Sequence, residues 1–202
     1  ALSYDESLKA IKNFSDEDLI MLSDNDEIPN LDSYEFKKNK KDIVIFRQLF
    51  FYYKFNLLYD KMNWFGTKAC KKKKLKSLSW LKNIKLKKYP FWRLDTMFSE
   101  TKQINLQIIK DGGWHFTNLL SPEDMYEKFM NFGHHDEFKL SGLTIEKLKE
   151  KIHNKELFYN HFVDQSSNKK WDNNHKLKDY DLKLLPKYLI DNKIKYKNWF
   201  SN

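Results

Sequence analysis

The stretch "DLIMLS", residues 18–23, constrains the fold more than any other feature of the chain. It is a continuous apolar run of strand length with no polar face, so it reads as a buried central strand of the kind found in parallel or mixed sheets. Such a strand needs other layers on both of its faces. Directly after it, "SDNDEIPN" sets three carboxylates, Asp24, Asp26 and Glu27, into four positions at the strand's carboxyl end. In a chain of formal charge +9 that concentration of acid calls for a chemical reason.

The remaining elements follow from pattern. Residues 7–14 place Leu8, Ile11 and Phe14 on one helical face ahead of the strand. Residues 42–59, "DIVIFRQLFFYYKFNLLY", are β-branched and aromatic, and read either as one long strand or as a strand running into a helix. Residues 66–76 suggest a short strand with a basic end, and "SLSWLKNIKL" has an ambiguous amphipathic pattern. "INLQIIK" is a further strand, ending in a turn at Asp111, Gly112 and Gly113. A helix opens at Ser121 as N-cap with Pro122 at its first position, and Met125, Phe129 and Phe132 form its apolar stripe. Another covers residues 144–152 with Ile145, Leu148 and Ile152 inward, and the tail is helical after Pro186.

Strands first and helices later describe an α/β domain, sheet-rich over 1–120 and mainly helical over 121–202. A chain of 202 residues, 41% hydrophobic and 16% aromatic, can bury a real core, which excludes a disordered polymer. No run of about 18 apolar residues and no signal-peptide pattern is present. The lone Cys70 cannot form an intrachain disulfide, and the expected compartment is a reducing one, the cytoplasm.

Three constellations carry chemistry. In "DND" two aspartates separated by one residue can converge on one cation at a strand end. Mg²⁺ and Mn²⁺ are typically held by one or two carboxylates together with the phosphates of a ligand, so this pair points to a diphosphate beside a metal; the bland alternative is a solvated acidic turn. In "DGGWHF", residues 111–116, Gly112 and Gly113 permit positive φ and close approach of a ligand to the main chain. There Trp114 offers a face for a sugar and His115 a metal ligand or an acid/base group. In "FGHHDEF", residues 132–138, His134, His135, Asp136 and Glu137 follow a helix end at which Gly133 suits the C-cap.

The order of these pieces, "SDNDEIP", "GGWHF", "SPED", "KFMNFGHHDEF" and "LPKYLIDN", resembles glycosyltransferase family 17 over about residues 7–200. "DEIP" and "GWHF" are the most specific elements. That is the family of the β-1,4-N-acetylglucosaminyltransferase that adds the bisecting residue to N-glycans, with bacterial and viral relatives. The resemblance implies a GT-A-like mixed sheet flanked by helices, and an inverting, Mn²⁺- or Mg²⁺-dependent transfer from a nucleotide-sugar donor, a UDP-sugar, to a glycan acceptor. By position, Asp24 and Asp26 would serve the metal and diphosphate, Glu27 and Pro29 would shape the turn, and His115 would be a third ligand or diphosphate contact. Asp111 and Glu137 are the candidate bases, with the choice between them open. Trp114 would pack on a sugar, His134 or His135 would fill the family's histidine position, and Arg47 and Arg93 could contact phosphate. Only 23 residues precede Asp24, where family members carry a longer segment, so the resemblance also implies a sheet lacking its N-terminal part. A viral or bacterial member is the expected relative.

Two other classes compete. Lysines 71–74, with Lys76, Lys82, Lys85, Lys87 and Lys88 interleaved with Trp80, Tyr89, Phe91 and Trp92, could grip and stack a nucleic acid. No recognition motif accompanies them, and Arg47 and Arg93 are the only arginines, so no specific nucleic-acid partner is expected. The third reading is a glycosyltransferase fold that has lost catalysis and serves as a scaffold.

Overall fold

The computed structural model describes residues 6–7, 9–35, 41–87, 89–90, 92–131, 135–163, 168–171 and 173–201. Among these it is a mixed α/β fold. Its strands are β1 (Leu19–Leu22), β2 (Glu27–Pro29), β3 (Ile43–Tyr52), β4 (Leu57–Lys71), β5 (Leu106–Ile109), β6 (Gly113–Thr117) and β7 (Lys178–Asp179). Its helices, besides helical residues 6–7 and 9–10, are α1 (Leu78–Asn83), α2 (Pro122–Met130), α3 (His135–Leu140), α4 (Ile145–His153) and α5 (Lys187–Asp191). The strand order is β1-β4-β3-β6-β2, with β5 on β3 and β7 on β4. The chain gathers into two compact units, Ala1–Leu49 with Asn63–His115, and Phe50–Met62 with Phe116–Asn202.

In the first unit the central strand is β3, not the run at 18–23. Eight of the ten residues of β3 are buried, and its side chains alternate between two apolar clusters. Ile43 and Ile45 meet Cys70, Leu106, and Leu81 and Ile84 from α1 and its end, while Val44 and Phe46 meet Tyr34, Ala69 and Ile109. The "LIML" segment is a strand as expected, but it lies at an edge, antiparallel to β4 from Leu19↔Lys71 to Leu22↔Lys68, and only Ile20 is buried. Hydrophobicity alone does not distinguish an edge from a centre; the pairing partners, far away in sequence, decide it.

The stretch 42–59 is neither one strand nor a strand and a helix. It is the start of a hairpin, reversing at Tyr53, whose φ of 65° is left-handed. Asn56 fixes the reversal, its amide donating to Ser201 O and its carbonyl oxygen accepting from Ser201 N–H, at 3.0 and 2.7 Å. The second arm, β4, runs on to Lys71, so the short strand expected at 66–76 is its final portion.

The glycines at 112 and 113 form a bulge rather than a hairpin turn. β5 runs parallel to β3, ending at Phe46↔Ile109. The next residue of β3, Arg47, accepts from Gly112 N–H at 2.9 Å, so three residues on one strand face one on the other. Gly113 has φ +115°, and a Cβ there would lie 2.1 Å from Ile28 O. The close approach that these glycines permit is to the protein's own strands.

The second unit holds most of the aromatic wealth. Tyr53, Phe138 and Phe158 are fully buried, with Phe129 and Trp171 ringing Phe158. The helix signals hold: Ser121 Oγ accepts from Asp124 N–H and Thr144 Oγ1 from Lys147 N–H, with Met125 and Leu148 buried. Phe132, Gly133 and His134 lie outside the described residues. No helix among the described residues is long and apolar enough to cross a membrane.

Candidate functional site

The acidic turn lies where the two outer strands of the first unit come together. β1 and β2 stand at opposite ends of the strand order, yet only residues 23–26 separate them, so the sheet of this unit curls until those edges meet. Glu27 N–H donates to Asp24 O at 3.1 Å, closing a β-turn. Ser23 ties the turn to β4, its hydroxyl donating to Glu27 O at 3.0 Å and lying 2.7 Å from Thr67 Oγ1.

The three carboxylates then take different partners. Glu27 is only 7% exposed, and an unpartnered charge there would be prohibitive. Its oxygens accept from Trp64 Nε1–H at 2.6 Å and from Asp24 N–H at 3.1 Å, with the Thr67 hydroxyl at 3.4 Å. Glu27 therefore organises the turn. Gly66 provides the room, since a Cβ at that position would lie 2.2 Å from the Glu27 carboxyl carbon. Asp26 Oδ2 is 3.3 Å from His115 Nε2, and the buried imidazole stacks on the Trp64 indole with centroids 4.4 Å apart and planes 13° apart. Asp24 receives the Lys82 ammonium at 3.0 and 3.1 Å. Lys82 rides on α1, which Ser77 caps by accepting from Trp80 N–H. Beside it Lys68 is buried, donating to Ile84 O at 2.9 Å and to Lys82 O, and burial pushes its pKa down.

The pairing of β2 with β6 brings the first two sequence motifs side by side, with Glu27 opposite His115 and Ile28 opposite Trp114. Alternation along β6 turns Trp114 to the face away from His115, so Trp64 supplies the aromatic surface there, not Trp114. Asp24, Glu27, Trp64, Gly66, Lys68 and Lys82 line a cavity of about 90 Å³, with room for an ion and a few waters.

A divalent ion suits the donor chemistry of this turn. Asp24 and Asp26 offer the hard oxygens that Mg²⁺ and Mn²⁺ take, and the His115 imidazole, a softer donor, favours Mn²⁺ of the two. Among the described residues no three His, Cys, Asp or Glu side chains are already grouped as a ligand set. A ligand's phosphates would complete the shell.

The other expected residues are spread more widely. Asp111 is exposed on the bulge, and Arg47 Nε donates to Lys110 O at 3.2 Å. Arg93 makes a bidentate pair with Asp95 at 2.6 and 2.7 Å. In the second unit, His135 is exposed beside Asp136, and Glu137 pairs with the buried Lys170. Lys170 lines that unit's own cavity, of about 380 Å³, whose walls include Phe129, Phe138, Phe158, Tyr159 and Trp171, with Asn118 and Lys128 also lining it. The lysine tract is tied inward: Lys71 and Lys73 pair with Glu17, Lys74 with Asp42, and Lys72 donates to Lys12 O and Phe14 O.

Sequence reasoning missed Trp64, Gly66, Thr67, Lys68 and Lys170, and read Lys82 only as part of a basic surface. All six act through partners distant in sequence. Only the Trp64-Phe65-Gly66 triplet, an aromatic pair beside a glycine inside a strand, carried a local sign of a close approach.

No family model, no curated protein and no solved structure matches this chain.

Proposed function

We propose that the chain is a metal-dependent inverting glycosyltransferase that moves a sugar, N-acetylglucosamine, from a nucleotide-diphosphate donor to a hydroxyl of a glycan. The observation that supports this reading is the β2–β6 pairing, which sets the "DEIP" turn against the "GWHF" strand and joins Asp24, Asp26, His115 and Lys82 at one turn.

Asp24 and Asp26 would hold a divalent ion, with His115 beside Asp26. Bound there, it would supply positive charge to offset the diphosphate leaving group. Lys82 adds a further cation at the same carboxylate. The buried Glu27 holds the backbone of the turn, so that Asp24 stays at the cavity and Asp26 beside His115. In the transfer, a carboxylate removes the acceptor's hydroxyl proton, the oxygen attacks the anomeric carbon from the face opposite the donor's diphosphate, and the bonding pair departs with the nucleoside diphosphate. Of the two candidate bases, Asp111 stands exposed on the bulge of the unit that carries the acidic turn, and Glu137 is paired to the buried Lys170 in the other unit.

Calorimetric titration of UDP and of GDP, with and without Mn²⁺, on the chain and on Asp26→Ala tests the donor site. UDP binding that needs Mn²⁺ and is lost in the variant is expected. Metal-independent binding, or none by folded protein, would overturn the reading.

A further inference from the structure

The segment that follows α1 in the first unit is built inside out. Trp92, Leu94, Met97 and Phe98 are 67, 71, 78 and 89% exposed, four large apolar side chains within seven residues. The backbone there is ordered by successive turns, with Thr96 N–H donating to Arg93 O and Met97 N–H to Leu94 O, both at 3.0 Å. The polar groups of the segment bind one another: Asp95 accepts from Arg93 at 2.6 and 2.7 Å and from Lys102 at 2.6 Å. Trp80 Nε1–H donates to Glu100 O at 2.8 Å, and Lys85 N–H to Thr101 O at 2.9 Å, which anchor the base of the segment to the rest of the unit. Water favours the opposite arrangement, with charges outward and apolar groups covered.

We infer that this segment docks the protein on an anionic lipid surface, with Trp92, Leu94, Met97 and Phe98 entering the interface. The choice of a bilayer over a protein partner rests on charge and composition. Lys85 and Lys87 are exposed shortly before the apolar group in sequence and make no ion pair among the described residues, and the chain as a whole carries +9. An exposed indole with leucine, methionine and phenylalanine, flanked by unpaired lysines, is the composition that binds the headgroup region of acidic membranes. In the Arg93–Asp95–Lys102 cluster both cations share one carboxylate, so the tip keeps a small positive surplus that suits an anionic surface.

Sedimentation of the full chain with vesicles of phosphatidylcholine alone, and of phosphatidylcholine mixed with phosphatidylserine, tests this. Binding to the serine-containing vesicles and little to the neutral ones is expected. Phe98→Asp should weaken it at least about tenfold, because the side chain's apolar burial is lost. The pair Lys85→Glu and Lys87→Glu should weaken it by a similar factor through the headgroups. Phe98 touches little of the protein, so the variant should melt with its parent, and a thermal scan verifies this. Equal binding by Phe98→Asp and the parent would overturn the inference, as would absence of binding to acidic vesicles. Self-association in solution that Phe98→Asp abolishes would also overturn it, by assigning the face to a second copy of the chain.

Discussion

Gly66→Ala is the most informative single change in the first unit. The added methyl would lie 2.2 Å from both the carboxyl carbon and Oε1 of Glu27, and 2.6 Å from Gln48 Oε1. Glu27 cannot swing aside without leaving the Trp64 indole and the Asp24 amide, because its carboxylate is buried and both donors are fixed. Overpacking of this kind costs about 1–3 kcal/mol, and loss of a charge-assisted hydrogen bond about 1.5–3 kcal/mol. Replacing glycine by alanine in a strand returns about 0.5–1 kcal/mol through the unfolded state. The net is a destabilisation of about 3 kcal/mol, which for a chain of this size lowers the melting temperature by roughly 6–12 °C. Thermal and urea unfolding followed by circular dichroism read it. The cycle with Glu27→Ala isolates the cause. On that background the methyl meets only Gln48 Oε1 and no carboxylate, so Gly66→Ala should cost clearly less, leaving a coupling of about 1–2 kcal/mol. A single variant that melts with the parent, or an equal penalty on both backgrounds, would refute the account of Glu27 as a held, buried carboxylate.

Cys70 is fully buried between β3 and α1, and burial pushes its thiol up to about 11. It should resist thiol reagents at neutral pH in the native protein and label at the rate of unfolding as urea rises; complete labelling in native buffer would contradict the packing of β4. Glu17 is held at about 2, against an ordinary 4.5, by Lys71 first and Lys73 next. A carboxylate whose folded value is depressed stabilises the fold above its unfolded value and loses that contribution as pH falls, so Glu17→Gln should flatten the acid-unfolding profile between about pH 4.5 and 2. An unchanged profile would show that this exposed pair has no thermodynamic weight.

What could be read from the sequence was local, and what escaped it was not. Ser121 was legible as a cap because the donor it satisfies lies three residues away, whereas Thr144, read as the first helical residue, is the cap of its helix. β5 was legible because its apolar run is short and ends at a glycine pair, but the bulge it feeds depends on β3 lying alongside. β1 and β3 are both apolar runs, and only their partners make one an edge and the other the centre. β4 was hidden because Asp60, Lys61 and Asn63 break its apolar pattern where the strand is half-exposed. The candidate site divides in the same way: the acids announced themselves by spacing, whereas Trp64, Lys82 and Gly66 entered only when the sheet curled.

That curl explains why a basic chain concentrates acid at residues 24–27. With β1 and β2 brought to one place, each carboxylate meets a different group, and the three cease to be equivalent. Glu27 is drawn inward by an indole and a backbone amide, which fixes the turn. Asp26 is drawn to an imidazole that is itself held against Trp64. Asp24 remains at the surface with one exposed lysine as its counter-ion. Glu27 and Ser23 hold the backbone of the turn, and the Asp24 and Asp26 side chains are partly exposed, paired to Lys82 and His115. A merely solvated acidic turn would require no buried member and no stacked histidine. The two together set a support beneath two partly exposed carboxylates, and it is on this support that the proposed metal and diphosphate site rests.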